Sequence, residues 1–147
     1  MIVTSKLEHM RWTMFDFLTD SGIQPVRADD FQAIGRLGAD GNLIGVIGYH
    51  GFSGLMCSMS CAGTGNWMSR EFLFAMFDYP FRQLKMQHIF IQVADDNAKC
   101  LRLVRHMGYE EVMRIENGCK IGTDWIILRM TPQRCRWINK HTERMAA

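Results

Sequence analysis

Two apolar stretches of strand length flank a glycine-bearing turn and a helix, and this arrangement constrains the fold more than any other feature of the chain. A strand from about Leu55 to Cys61 runs into Ala62-Gly63-Thr64-Gly65-Asn66, and a helix then extends to about Leu84. Leu73, Met76, Phe77, Phe81 and Leu84 give that helix a wide apolar face, with Arg70, Asp78 and Arg82 outside; Pro80 is expected to kink or shorten it. His88-Ile89-Phe90-Ile91-Gln92-Val93 is the second strand, apolar enough to be buried. Strand, helix and strand in this order predict a parallel pair joined by a right-handed crossover.

Antiparallel elements flank that unit. Leu7 to Leu18 spaces Leu7, Met10, Met14, Phe15, Phe17 and Leu18 as an amphipathic helix, stopped by Asp20-Ser21-Gly22. Phe31, Ala33 and Arg36-Leu37 make a short strand, Ala39-Asp40-Gly41-Asn42 a tight turn, and Leu43 to Tyr49 the returning strand. After the second apolar strand, Asp95-Asp96 offers an N-cap for a helix over Asn97 to Met107, with Ala98, Leu101, Val104 and Met107 inward and Gly108 at its end. Tyr109–Ile115 and Trp125–Met130 form a last hairpin through Glu116-Asn117-Gly118. At 147 residues the chain reads as one domain over 1–147, with a basic tail over 131–147. The fold class is α/β: a mixed, mostly antiparallel sheet with a central parallel pair and helices on both faces.

Composition removes other classes. Hydrophobic residues at 48% and charged residues at 22% exclude a disordered chain. No apolar run approaches the roughly 18 residues of a membrane span, and the N-terminus lacks the apolar core of a secretion signal. Five cysteines without a C-x-x-C pair then read as free thiols in a reducing, cytoplasmic setting, and no spacing suggests a metal site. A net charge of +2 gives no argument for nucleic acid, and the tail cations read as a solvated end.

The chemistry is concentrated in Ser60 to Glu71. Glycines between a strand and a helix let amide N–H groups converge beside the partial positive charge of a helix N-terminus, a setting suited to a pyrophosphate, although they also serve a tight connection. No Lys-Ser/Thr follows, which excludes a Walker loop, and the third glycine of a dinucleotide fingerprint is absent.

Ser60-x-x-Gly63-x-Gly65, followed by Asn97-x-x-Cys100-x-x-Leu103-Val104-x-x-Met107-Gly108-Tyr109, resembles the motifs of the GNAT N-acetyltransferase superfamily over about Phe31 to Met130. Trp67-x-Ser69-Arg70-Glu71, Tyr79-Pro80-Phe81 and Cys135-Arg136-Trp137 are similar to the small GNAT proteins of tailed phages and prophages. The resemblance implies that the two parallel strands splay apart and that acetyl-CoA, as co-substrate, lies in the gap. Its pantetheine arm would pair with main chain at Met59, Ser60 and Cys61. Its pyrophosphate would meet amides of Gly63, Thr64, Gly65, Asn66, Trp67, Met68 and Ser69, with the Ser69 hydroxyl as a further donor. Asn97 would approach the pantetheine, and Arg70, Lys99 or Arg102 the adenosine phosphate. The tyrosine that protonates the leaving thiolate in the family falls at Val104, and Tyr109 occupies a position that is normally core.

Acetyl transfer to a primary amine by direct attack in a ternary complex is the implied reaction, with the acceptor open among protein amines, polyamine-like molecules and modified bases. His50, at a strand end, and Asp124, before the last strand, are the candidate bases. Glu110 and Glu111 alternate to opposite faces. Cys57 and Cys61 share one strand face without an adjacent histidine, which argues against a cysteine nucleophile. The lost tyrosine motivates an alternative, a GNAT-fold binding protein that acts by contact with a partner. Trp137-Ile138 is a candidate anchor for a homodimer.

Overall fold

The structure is a computed structural model and describes residues 1–6, 8–23 and 29–139. Its elements are β1 (Ile2–Thr4), α1 (Glu8–Asp20), β2 (Gln32–Leu37), β3 (Leu43–Ser53), β4 (Met56–Gly63), α2 (Arg70–Asp78), β5 (His88–Ala94), α3 (Ala98–Met107), β6 (Glu110–Lys120) and β7 (Thr123–Met130). Seven strands form one sheet in the order β1-β2-β3-β4-β5-β7-β6, with β4–β5 parallel and every other pair antiparallel. The expected fold class is therefore the observed one. No described helix is long and apolar enough to cross a membrane.

Alternation along the strands divides the core between two faces. Val46 of β3 faces α1 and joins Met14, Leu18, Phe31 and Ala33, whereas Ile47 and Tyr49 face α2 and α3. On β5, Ile89, Ile91 and Val93 are buried toward α2 and α3, and Phe90 and Gln92 alternate to the α1 side. Gly48 is required where α1 crosses β3, because a Cβ there would stand 2.6 Å from Phe31 and 2.7 Å from Leu18.

Several boundaries differ from the sequence expectation for physical reasons. β1 was not expected; three residues are too few for a periodicity, and it is held by pairing Ile2–Thr4 with Ile34–Arg36. The Leu7 start of α1 lies outside the described residues. The helix after the glycine turn ends at Asp78 and continues as one π turn over Tyr79–Gln83. Pro80 has no N–H to give to the Met76 carbonyl four residues back. The buried Tyr49 hydroxyl donates to that carbonyl instead, at 2.5 Å.

The N-cap of α3 is Asn97, not Asp95 or Asp96: its side chain accepts from Cys100 N–H at 3.2 Å. Gly108 ends α3 at φ 109, as expected. The last hairpin turns at Ile121-Gly122, not at Glu116-Asn117-Gly118. That earlier triplet forms an irregularity within the ladder, where Asn117 has φ 55 and Gly118 lies so close to Trp125 that a Cβ would stand 2.7 Å from the indole. Ile138 is buried and Trp137 packs on the core with its indole N–H donating to Met107 O at 2.8 Å. Ile138 and part of Trp137 therefore contribute to the chain's own core. The cations of the tail up to 139 are likewise engaged: Arg134 reaches Glu110 and Gly108 O, and Arg136 reaches His106 O and stacks on Trp137.

Candidate active site

The parallel pair is short. β4 and β5 are in register only at Met56↔His88, Cys57↔Ile89 and Ser58↔Phe90, after which β4 continues to Gly63 on β3 and β5 to Ala94 on β7. The two strands part beyond Ser58, leaving the β5-facing main chain of Met59, Ser60 and Cys61 without a strand partner. This is the splay that the resemblance implies between the two strands.

The glycine turn sits at the wide end of that gap, and its two glycines do different work. A Cβ on Gly63 would stand 2.1 Å from the Trp67 ring, and one on Gly45 across the ladder 2.7 Å, so the indole lies flat on the backbone of two strands. Gly65 adopts φ +58 with nothing within 4 Å of a Cβ, so it serves the turn and leaves open space before it. Trp67 thus contributes packing, edge-on to Phe72 at 6.1 Å, and offers only its amide to a ligand. Arg36 ties the turn to β2 by donating to Asn66 O at 2.5 Å.

Of the expected amide donors, Thr64 is already committed, donating to Ile44 O at 2.8 Å, which narrows the set. The amides of Gly65, Asn66, Trp67, Met68 and Ser69 have no acceptor among the described residues. Ser69 caps α2, its Oγ accepting from Phe72 N–H at 3.1 Å, which leaves the hydroxyl hydrogen to donate. Arg70 is exposed at the first residue of α2 with no carboxylate partner among the described residues. A run of open amides at a helix N-terminus is an anion cradle. Asn97, past the end of β5, uses its side-chain oxygen as a cap and keeps its amide nitrogen unengaged within the described chain.

A cavity of about 470 Å³ opens on the α1 side where the strands part. Its apolar wall is Phe90 of β5, Trp125 and Ile127 of β7, and Ile23 after α1. Its polar groups are His50 of β3, Ser58 and Ser60 of β4, and Gln92 of β5. His50 Nε2 and Ser60 Oγ are 2.9 Å apart, and His50 is only 6% exposed. Burial holds the imidazole below the ordinary histidine value, opposed by the negative charge of Asp30. One oxygen of Asp30 accepts from Phe52 N–H at 3.1 Å; the other is buried with no partner among the described residues.

The other candidate base is elsewhere. Asp124 does not line the cavity, and its carboxylate is bound to Arg114 at 3.3 Å and to Asn117 N–H at 3.0 Å on the β6–β7 hairpin. Glu110 pairs with Arg129 at 2.6 Å and Glu111 with Arg105 at 3.5 Å, so neither carboxylate is free. Val104 and Tyr109 are both core, the Tyr109 hydroxyl donating to Met59 Sδ at 3.3 Å; burial drives its pKa well above the usual phenol range. Burial likewise pushes the Cys57 and Cys61 thiols to about 12, which leaves both protonated and unfit as nucleophiles at neutral pH. No three His, Cys, Asp or Glu among the described residues are grouped to hold a metal.

Sequence reasoning missed Phe90, Gln92, Trp125 and Asp30. Residues 90 and 92 sit in a mostly apolar strand, and its sequence does not reveal which face meets a cavity. Asp30 lies 20 residues from His50 along the chain and is brought near it only by β2–β3 pairing.

No family model and no curated protein matches the sequence. Solved structures do. A phenylalanine-to-alanine variant of spermidine N-acetyltransferase SpeG from Vibrio cholerae matches with a TM-score of 0.72 at 15% identity, covering 96% of this chain and 99% of that one. The same organism's enzyme in complex with manganese ions matches with a TM-score of 0.67 at 15% identity, over 98% and 95% of the two chains. Its dodecameric structure in an intermediate state matches with a TM-score of 0.70 at 15% identity, over 89% and 92%. At this identity the likeness establishes a shared fold over nearly the whole chain.

Proposed function

We propose that this chain is an acetyl-CoA-dependent N-acetyltransferase that transfers the acetyl group to a primary amine by direct attack in a ternary complex. The observation that carries the reading is the coincidence of three features. Strands β4 and β5 part after Ser58, open amides line the turn at the wide end of the gap, and a cavity opens between the strands with a buried histidine in its wall. The shared fold with spermidine N-acetyltransferases supports it.

The residues present fit the co-substrate. Main chain at Met59, Ser60 and Cys61 would hold the pantetheine arm, the amides of Gly65 to Ser69 the pyrophosphate, and the Asn97 amide nitrogen a pantetheine oxygen; Arg70 is the cation for the adenosine phosphate. When bound, the group supplies an acyl carbon already activated as a thioester.

The protein holds the amine beside that carbon and removes its proton. Proximity is the larger contribution. The neutral imidazole of His50 is the base, and Ser60 Oγ, 2.9 Å from Nε2, relays. Ser60 takes a proton from the amine nitrogen as its own hydroxyl proton passes to Nε2. With a buried valine at position 104, water protonates the leaving thiolate. His50→Ala is expected to lower kcat by about 10²–10⁴-fold while leaving acetyl-CoA binding intact. Acetylated amine is measured by mass spectrometry; unchanged kcat would remove His50 from the mechanism.

The buried Val104 also favours a second reading, a GNAT-fold protein that binds acyl-CoA and acts by contact with a partner. Acetyl-CoA binding without acetylation of any amine would establish it.

A further inference from the structure

The acceptor can be narrowed from the chemistry of the cavity wall, an inference that rests on the acetyltransferase reading. Among the described residues every polar side chain in that wall is uncharged: two serines, one glutamine and an imidazole held neutral by burial. No aspartate or glutamate lines it among the described residues. Asp30, whose charge reaches His50, is not part of the wall; one of its oxygens is spent on Phe52 and the other is sealed from solvent. Residues 24–28, which follow Ile23, are Gln-Pro-Val-Arg-Ala and bring no carboxylate wherever they lie. Residues 140–147 hold one, Glu143, with Lys140 and Arg144 in the same segment.

A polycationic amine entering such a cavity would find no anion for its ammonium groups among the described wall residues, and a charge that sheds part of its water without gaining a partner is disfavoured. An α-amine is a better match. Its ordinary pKa of about 7.7–8.0, against about 10.4 for an alkylamine, makes its neutral fraction near pH 7.5 roughly two hundred-fold larger. Neutral nitrogen is the form that enters without an anion and the form that attacks. The remaining wall then finds a use: Trp125, Phe90 and Ile127 give an aromatic and apolar surface for a side chain, and Gln92 and Ser58 suit an adjacent carbonyl and amide.

We infer that the acceptor is the α-amine of an apolar or aromatic aminoacyl group, free or at a peptide N-terminus, and not a polyamine. The test uses L-phenylalaninamide, a short peptide beginning with phenylalanine, and spermidine, each measured by calorimetric binding to the intact protein and by acetylation with acetyl-CoA. The two aminoacyl probes separate a free aminoacyl compound from a peptide end. Tighter binding of either aminoacyl probe than of spermidine, by about tenfold or more, is expected. Gln92→Glu, which places a carboxylate in the wall without changing its size, is expected to shift the ratio toward spermidine by roughly tenfold. Spermidine binding as tightly as both aminoacyl probes, or a ratio unmoved by Gln92→Glu, overturns the inference. The binding preference without acetylated product keeps the pocket assignment and overturns the transferase reading instead.

Discussion

Gly63→Ala isolates the packing that shapes the glycine turn. The added Cβ would stand 2.1, 2.2 and 2.5 Å from three atoms of the Trp67 ring. Carbon atoms rest about 3.5–4.0 Å apart, so the ring must move by more than about 1 Å. It has little room: Gly45 lies under the same ring, where a Cβ would stand 2.7 Å away, and Phe72 meets it edge-on at 6.1 Å. Overpacking of this kind costs about 1–3 kcal/mol, which for a domain of this length lowers Tm by about 3–10 °C. Because Trp67 is two residues past Gly65, displacement of its ring also displaces the open amides, and acetyl-CoA affinity should fall with stability. Urea denaturation gives the stability change, and Trp67→Ala supplies the control. The double variant should lose less than the sum of the two single ones, by about the overpacking cost, because the clash has gone. Gly65→Ala should lose about 1 kcal/mol from its left-handed φ and show no such coupling to Trp67. Gly63→Ala within about 0.5 kcal/mol of the parent, or strict additivity with Trp67→Ala, would refute the reasoning.

Other perturbations reach the site and the core. Because burial depresses the His50 pKa, the proposed base is neutral at pH 7, and kcat should fall only as pH drops below about 6.5, the ordinary histidine value. Asp30→Asn removes the charge that opposes this depression, so the acidic limb of the kcat profile should move to lower pH; a limb that moves up or stays contradicts the assignment. Tyr49→Phe leaves the buried Met76 carbonyl without the donor that Pro80 cannot supply and should cost about 1–3 kcal/mol in urea denaturation. Arg36→Ala frees the turn at Asn66 and should weaken acetyl-CoA binding several-fold in calorimetry with little change in Tm, since the bond it makes is solvent-exposed.

Local chemistry explains what could be read from the chain and what could not. The crossover was legible because its parts are local: an apolar strand, two glycines, an apolar-faced helix and a second apolar strand adjoin in sequence. Gly63 was legible as a glycine but not for its reason, which is the ring of Trp67 folded back onto it. The Glu116-Asn117-Gly118 triplet carries a strong turn signal, yet the chain uses it as a bulge under Trp125 and turns at Ile121-Gly122. Turn residues report a tolerance for positive φ and not the direction the chain takes afterward. Asn97 capped α3 where two aspartates just before it offered the same chemistry, an ambiguity of one or two residues that only backbone geometry resolves. His50 stood out by residue type, but Ser60 as its partner depended on β3–β4 register, in which His50 lies opposite Ser58 and Gly48 opposite Ser60. Asp124 stood out equally and proved to be bound to the hairpin, because nothing near it in sequence announced Arg114 as a partner.

The central proposal is that acetyl-CoA occupies the gap between β4 and β5 with its pyrophosphate on the turn. Calorimetric titration of the protein with acetyl-CoA, with CoA and an adenosine phosphate lacking the pantetheine arm as controls, tests this, together with Gly65→Trp, which fills the open space before the amides. Micromolar binding that requires the pantetheine arm and is lost in Gly65→Trp is expected. Absence of binding at millimolar acetyl-CoA, or affinity unchanged by Gly65→Trp, would contradict it.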